Sequence, residues 1–497
     1  LIFTGSGVAC PLLFISEIQN ERHQRVKVDF TKLDRAFDPR VVAVVGDNER
    51  SGYQWLNSYR NCQGKLYSVQ VNPKSIEGIK AMGVPNYLSL VDIPEPIDLA
   101  VVAVPRSVAL KILDDCIQKD VAAAFFFTAG FAETGTEEGI KLEQALKEKA
   151  EAANLHVIGP NCMGLFTPKV GIQQVLSQFV QYDSKSGPLG FVSQSGTHAL
   201  EFSLVAHLQG LDISKGVSFG NGTVLDSPDY LEYFAQDPEI GVIGMYLEGV
   251  KDGQRFMKVL KRVAAKKPVV IWKGGRTREG GRAIASHTGS LAVPWTIWKS
   301  AVKQCGAVNV ASMEELVDTL KALLYLPRVR GGRVAITGGS GGQSVAIADV
   351  FAEAGLEVPR LSKASYDELA TFYSLIGGGY PNPIDTGNQN RAELKRILEI
   401  LERDTNTDNI ILLGAARWGT PEQIQSQVDL MAEIKARSPK AIVAIVPYSI
   451  PEEMQQARDL AQKFQEKGIP SFQSIERGAR ALKNALDYYS FKSGDGA

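Results

Sequence analysis

The sequence predicts an α/β protein of three consecutive doubly wound domains, and three observations carry that reading. Short β-branched runs alternate with Gly-rich turns and amphipathic stretches, which argues for parallel sheets covered on both faces. The alternation occurs in three segments of a 497-residue chain, a length suited to about three domains of ordinary size. Hydrophobic residues at 44% and charged residues at 22% are ordinary globular values, so a large core is expected and disorder is not.

Taken in order, residues 1–36 read as an N-terminal arm. Its apolar start, Leu1 to Ile15, is broken by Gly5, Gly7 and Pro11 and has no basic leader, which favours neither a spanning helix nor a secretory signal. The first domain, 37–162, opens with the run Val41 to Val45, followed by strands at Leu66 to Val71, Leu99 to Val104, Ala122 to Phe127 and Leu155 to Ile158. A helix from Thr136 to Ala152 places Ile140, Leu142, Leu146 and Ala150 near helical spacing. The second domain, 163–327, has strands at Leu189 to Val192, Gly241 to Leu247 and Pro268 to Trp272. Its closing helix, Met313 to Leu326, carries Leu316, Leu320 and Leu323 on one face. Arg328 to Gly332 is a polar linker and the expected boundary. The third domain, 332–497, begins at Val334 to Gly339, has strands at Asn409 to Leu413 and Ala441 to Val446, and ends in a helix near Glu476 to Tyr489.

A net charge of -1 gives no electrostatic reason to expect nucleic acid or an acidic membrane as partner. Five cysteines without a CxxC pair argue against a zinc site or a disulfide framework, so no metal site is expected and a cytoplasmic location is.

Three strand-to-helix turns are candidate phosphate cradles, because backbone N–H groups at a helix start are free to hold an anion. The first, Gly46 to Gly52, lacks the G-x-G-x-x-G spacing, and Asp47 and Glu49 would repel a pyrophosphate unless Arg50 compensates. Lys74, just past the second strand, stands where such sheets reach a ribose or its phosphate, or is simply solvated. In the second turn, Val192 to Thr197, the hydroxyls of Ser195 and Thr197 either join an anion cradle or merely cap the following helix. The third, Thr337 to Gln343, has glycine at 338, 339, 341 and 342, which leaves its amides unobstructed.

Between the second and third turns lies His287, one of five histidines, in the small-residue stretch Ala285 to Ala292. This stretch reads as a loop ahead of a helix rich in Ala, Trp and Lys. Imidazole changes charge near neutral pH and can react through either nitrogen. A phosphorylated imidazole needs an acceptor on its other nitrogen. Glu248, at the carboxyl end of an apolar strand, is placed to supply one.

Several segments together resemble the NDP-forming acyl-CoA synthetases, the superfamily of succinyl-CoA synthetase and the ADP-forming acetyl-CoA synthetases (acetate–CoA ligases). They are Ala129 to Glu133, Gly159 to Gly164, Val192 to Thr197, Ser286 to Ser290 and Asn382 to Asp385, and the match covers roughly Phe37 to the C-terminus. The resemblance implies a Rossmann-like CoA-binding domain followed by two flavodoxin-like succinyl-CoA-synthetase domains. It makes His287 the phosphorylated histidine and Glu248 the carboxylate that orients it. Ser193, Ser195, Gly196 and Thr197 match one phosphate-receiving helix start, and Gly339, Ser340, Gly341 and Gly342 its counterpart. Asn48, Arg50, Ser51, Gly52, Lys74, Thr128, Ala129 and Gly130 fall where the family holds CoA. Cys162 becomes a structural residue of a tight turn, and His198 stands outside the machinery.

The implied activity couples acyl-CoA formation or cleavage to ATP/ADP through an acyl phosphate and a phosphohistidine. No nucleotide-grasping domain is recognisable after the third domain. The resemblance therefore implies an α subunit with a separate ATP-grasp β subunit that carries most of the ATP/ADP and Mg²⁺ site, in a hetero-oligomer such as α2β2. Leu200 occupies the place of a substrate-contacting tyrosine of succinyl-CoA synthetase, which favours acetate or a larger monocarboxylate. The alternative is a non-catalytic CoA-binding regulatory or scaffold protein. A nicotinamide-dependent dehydrogenase is disfavoured by the missing G-x-G-x-x-G.

Overall fold

Three sheets form one after another along the chain, and each has its glycine-rich turn where the strand order reverses. The computed structural model describes residues 25–173, 185–288, 294–339, 341–373, 381–386, 391–414, 420–448 and 450–494, without the side chains of 285–288, 339, 341–343, 391, 421 and 423.

Helix α1 (Phe30–Phe37) is the first described element. Asp29 caps it by accepting from the Thr31 N–H at 2.9 Å, and Leu33, Ala36 and Phe37 fall on one buried face. Arg25 pairs with the buried Asp229, so from residue 25 onward the expected arm is packed structure. Then come β1 (Val41–Val45), α2 (Gln54–Tyr59), β2 (Lys65–Val69), α3 (Pro73–Ala81), β3 (Asn86–Tyr87) and β4 (Leu99–Val102). The unit closes with α4 (Arg106–Gln118), β5 (Ala123–Phe126), α5 (Glu137–Ala152) and β6 (His156–Ile158). All pairs are parallel in the order β3-β2-β1-β4-β5-β6, the order of the dinucleotide-binding fold.

The second sheet is built from β7 (Gly164–Phe166), β8 (Leu189–Ser193), α6 (Gly196–Leu208), β9 (Ile213–Ser218), α7 (Ser227–Gln236) and β10 (Val242–Leu247). It continues through α8 (Gly253–Ala264), β11 (Val269–Lys273), α9 (Arg278–Thr288), α10 (Trp295–Gln304), β12 (Val308–Val310) and α11 (Met313–Tyr325). The order is β12-β11-β10-β8-β9-β7, with β7 antiparallel at the edge. Apart from β7, this is the flavodoxin-like order.

The third sheet repeats it. Its elements are β13 (Val334–Gly339), α12 (Gly341–Glu353), α13 (Lys363–Leu369), β14 (Ile384–Asp385), α14 (Leu394–Arg403) and β15 (Asn409–Leu413). After them come α15 (Pro421–Arg437), β16 (Ala441–Ile445), α16 (Pro451–Glu466), β17 (Ser471–Phe472) and α17 (Ile475–Ser493), giving β14-β13-β15-β16-β17.

The glycines explain why the turns sit at the reversals. A Cβ on Gly46, at φ +87°, would lie 2.5 Å from Val104 Cγ1, and one on Gly338, at φ +104°, 2.4 Å from the Leu413 carbonyl oxygen. Only glycine lets β1 and β13 leave their sheets that close to the neighbouring strand.

The units share cores. Phe37 of the first stacks on Tyr233 of the second at 5.3 Å, and the Tyr233 hydroxyl donates to Asp34 at 2.8 Å. Helices α11 and α17 pack second against third. There Arg477 grips Asp318 through two bonds of 2.6 and 2.8 Å, and buried Lys321 donates to Gln209 and to the Ser471 carbonyl. Among the described residues no helix is long and apolar enough to cross a membrane.

Two local expectations change. Ala285 to Thr288 belong to the last turn of α9 rather than to a loop, because Ala283, Ile284 and Ala285 continue a helix that meets no glycine until 289. On α5, Leu146 and Ala150 are buried, whereas Ile140 is 52% exposed.

Candidate active site at the reversal of the second sheet

Strands β8 and β10 lie side by side at the reversal, in the register Ser193 to Tyr246, and both end where ligands enter open α/β sheets. Gln194 ties the two ends together. Its N–H donates to the Tyr246 carbonyl at 3.0 Å, and its side-chain Oε1 accepts from the N–H groups of Glu248 and Gly249 at 2.8 and 3.0 Å. Glu248 is thereby held one residue past β10, buried at 7% exposure, with the Tyr246 hydroxyl 3.3 Å from its Oε1. Burial first, then Glu248, raises the Tyr246 phenol, which stays a donor.

Helix α6 starts beside this carboxylate. Ser195 caps it, its Oγ accepting from the His198 N–H at 3.3 Å, while the Ser193 hydroxyl donates to the Ser195 carbonyl at 2.6 Å. The N–H groups of Gly196 and Thr197 are first-turn donors that a helix cannot satisfy internally. Met163 packs against Gly196, where a Cβ would lie 2.6 Å from its Cγ. Ser195 therefore does cap the helix, and the amides beyond it remain for an anion.

Strand β11 completes the edge. Its last residue, Lys273, is 2% exposed and donates to the carbonyls of Glu248 and Gly274 at 2.7 and 2.6 Å. Burial pushes its ammonium down to about 8, with Glu248 pulling the other way. Gly274 must lack a side chain, since a Cβ there would meet the Tyr246 hydroxyl at 2.7 Å. From this edge the chain turns into α9, the helix of His287, and α9 packs against the turn Ala132–Thr134 of the first unit. The His287 side chain and residues Gly289 and Ser290 lie outside the described residues, as does Ser340; Gly339 ends β13, and Gly341 and Gly342 open α12.

In the first unit the turn spends its polar groups on itself. Asp47 Oδ2 accepts from the N–H groups of Trp55 and Leu56 at 3.0 and 2.9 Å, and Oδ1 from the Ser51 hydroxyl at 2.7 Å. It caps α2 inside the protein at 1% exposure. Asn48 Oδ1 accepts from the N–H groups of Arg50 and Ser51, and Ser75 donates to Glu49 at 2.6 Å. Arg50 and Gly52 are exposed, and exposed Lys74 stands 3.9 Å from Glu49. Thr128 is buried, its hydroxyl tying β5 to the Val104 carbonyl at 2.8 Å. Ala129 is exposed, and the Gly130 N–H donates to Glu133.

Cys162 is buried against the Phe126 and Ile158 carbonyls, and burial lifts its thiol to about 12, too high for a nucleophile. The His198 ring lies against Tyr246 and Trp272, with centroids 4.4 and 4.6 Å away. Among the described residues no three His, Cys, Asp or Glu side chains gather as metal ligands. Sequence reasoning missed Lys273, although a lone charge ending an apolar strand before Gly274 and Gly275 was there to read. It also passed over Gln194.

Known proteins place this arrangement. The CoA-binding domain family matches residues 40–168, and the succinyl-CoA-ligase-like flavodoxin domain matches 186–323, which defines a class of CoA-handling α/β proteins. The α subunit of acetate–CoA ligase [ADP-forming] II from Pyrococcus furiosus is 33% identical over 458 residues, 90% of this chain and 96% of that one. Acetate–CoA ligase [ADP-forming] I from Archaeoglobus fulgidus is 35% identical over 92% of this chain, which spans 64% of that protein's length. The solved dinucleotide-forming acetyl-coenzyme A synthetase 1 of Ca. Korarchaeum cryptofilum, in complex with phosphate and ADP, superposes with a TM-score of 0.81 at 29% identity, covering 93% and 98% of the two chains. The chain belongs to the ADP-forming acetate–CoA ligase family.

Proposed function

We propose that this chain is the α subunit of an ADP-forming acyl-CoA synthetase that joins a small monocarboxylic acid such as acetate to CoA. One observation carries the reading. The helix bearing His287 leaves the sheet edge that holds Glu248 and packs against the 132–134 turn, beside Thr128, Ala129 and Gly130 of the matched CoA-binding unit. That contact supports a reading in which a phosphoryl carrier and a thiol-bearing ligand meet at one junction.

In the synthetic direction, ATP on a β partner phosphorylates an imidazole nitrogen of His287 and leaves as ADP. Glu248 accepts the N–H of the other nitrogen, which fixes the tautomer. The carried phosphoryl group meets the N–H groups of Gly196 and Thr197, with Ser193 and Ser195 shaping their turn. Gly339, Ser340, Gly341 and Gly342 are the second turn assigned to the phosphoryl group. Each helix start contributes about 0.3–1 kcal/mol to an anion, and direct amide hydrogen bonds add the rest. A carboxylate oxygen of the acid attacks phosphorus, giving acyl phosphate and free His287. The CoA sulfur then attacks the acyl carbon, inorganic phosphate departs, and the thiol proton leaves with it or to solvent.

Arg50 and Lys74 supply exposed cations for the CoA phosphates, while Asn48 and Ser51 hold the turn that presents them. Mg²⁺ travels with the nucleotide on the ATP-grasp partner, and the complex is a hetero-oligomer such as α2β2. The test is reconstitution with that partner, following thioester formation from ATP, CoA and a panel of carboxylic acids. Turnover with acetate or a larger monocarboxylate supports the reading. CoA binding without turnover on any acid would make the chain a non-catalytic CoA-binding protein.

A further inference from the structure

Lys273 is a buried cation at the site edge that the mechanism above leaves without work. It ends β11 opposite Leu247 of β10, on the face lined by Met245, Leu247 and Ile271, with its Nζ 5.6 Å from the centre of the Trp298 ring. Side chains alternate along a strand, so Tyr246 and Glu248 point to the other face of the sheet. Lys273 therefore reaches Glu248 through its main chain, bonding the Glu248 and Gly274 carbonyls at 2.7 and 2.6 Å. Those carbonyls lie past the last residues of β10 and β11, where the ladder supplies no further donors. On the opposite side of the same peptide, Gln194 Oε1 takes the Glu248 and Gly249 N–H groups. The Glu248 backbone is thus clamped from both sides, by a neutral acceptor and a charged donor.

Burying an ammonium is costly, and two carbonyls alone do not demand one, since a neutral donor would satisfy them. A cation set behind the peptide that carries Glu248 does more: it fixes the carboxylate's origin and offsets negative charge gathered at the α6 start. We propose that Lys273 is a positioning residue that holds Glu248 in register for the imidazole of His287. This rests on the reading that His287 carries the phosphoryl group. The charged group bearing on Lys273 is Glu248 on the β10 end; α10 presents the Trp298 ring, and the Tyr246 phenol lies beyond Glu248.

The experiment uses the full chain reconstituted with its β partner and ATP labelled at the γ-phosphate. It measures the rate at which acid-labile, base-stable label appears on His287, for the unsubstituted protein, Lys273→Met, Lys273→Arg, Glu248→Gln and the double variant Glu248→Gln/Lys273→Met. Loss of a charged hydrogen-bond donor is worth about 10- to 100-fold in rate, so Lys273→Met is expected to label about 10- to 100-fold more slowly while CoA binding, read by calorimetry, is kept. The double variant is expected to be no slower than Glu248→Gln alone, because Lys273 acts through Glu248. With its ammonium titrating at about 8, the unsubstituted complex should lose rate as the pH rises through that value, and Lys273→Arg should keep its rate there. Losses that multiply in the double variant, or an unchanged rate in Lys273→Met, would overturn the proposal. Should Lys273→Met lose CoA binding and fail to fold, the arginine profile decides: an alkaline limb like that of the unsubstituted complex overturns it. Absence of label on the unsubstituted complex would instead strike down the phosphohistidine reading, and the proposal with it.

Discussion

The turns after β1 and β8 occupy equivalent places in their sheets, yet they spend their polar groups in opposite ways. After β1, Asp47, Asn48 and Ser51 bond to one another and to the amides of the turn and of α2. After β8, Ser195 takes one amide, Gln194 reaches across to β10, and the Gly196 and Thr197 N–H groups stay open beside a buried carboxylate. A polar turn rich in acceptors is scaffold, and one that leaves donors unspent is a site. A sequence lists both as short runs of small polar residues. Their difference appears only when the partners of each group are counted.

Substitutions around the site after β8 and β10 and at the turn after β1 should therefore separate chemistry from stability. The largest effect is expected for His287→Ala, which should cut acyl-CoA synthesis by the reconstituted complex by at least about 1,000-fold while leaving CoA affinity unchanged by calorimetry. Glu248→Gln should slow labelling of His287 by about 100-fold with little change in the unfolding midpoint. At the first turn the pattern inverts. Asp47→Asn should cost about 1–3 kcal/mol of stability in denaturant unfolding, because one of its oxygens would become a donor facing N–H or O–H groups. Phosphoryl transfer from ATP to His287 should survive it. Smallest is Arg50→Ala, expected to weaken CoA binding about two- to ten-fold, more at low salt than at high, with no change in stability. Equal loss of stability in Glu248→Gln and Asp47→Asn would erase the distinction.

Much of the frame could be read from residues alone. The apolar runs at Val41–Val45 and Asn409–Leu413 became strands with those bounds, and Thr136 and Ser195 mark helix starts. Strand β9 escaped notice because Ile213–Ser218 interrupts its apolar residues with serine, lysine and glycine, and β12, β14 and β17 are too short to show a period. The stretch around His287 looked like a loop because serine and threonine flank the histidine, but the alanines before it carry the helix through Thr288. At the site, Glu248 was legible as an acid ending an apolar strand. Lys273 showed only as a lone charge ending an apolar strand; its meaning lies in two carbonyls that only the packed sheet edge brings within reach. For the same reason the sequence shows the charge of Asp47 but not its partners, the amides of α2.

The proposed chemistry stands on an imidazole that accepts a phosphoryl group beside Glu248. Phosphorus NMR of the full-length chain incubated with acetyl phosphate tests that most directly, since it needs no second protein. The expected result is a phosphoramidate resonance that is stable in base, disappears in acid, maps to His287 by mass spectrometry and is missing from His287→Ala. A chain that binds CoA but acquires no phosphorus–nitrogen bond, or acquires it at another residue, would contradict it.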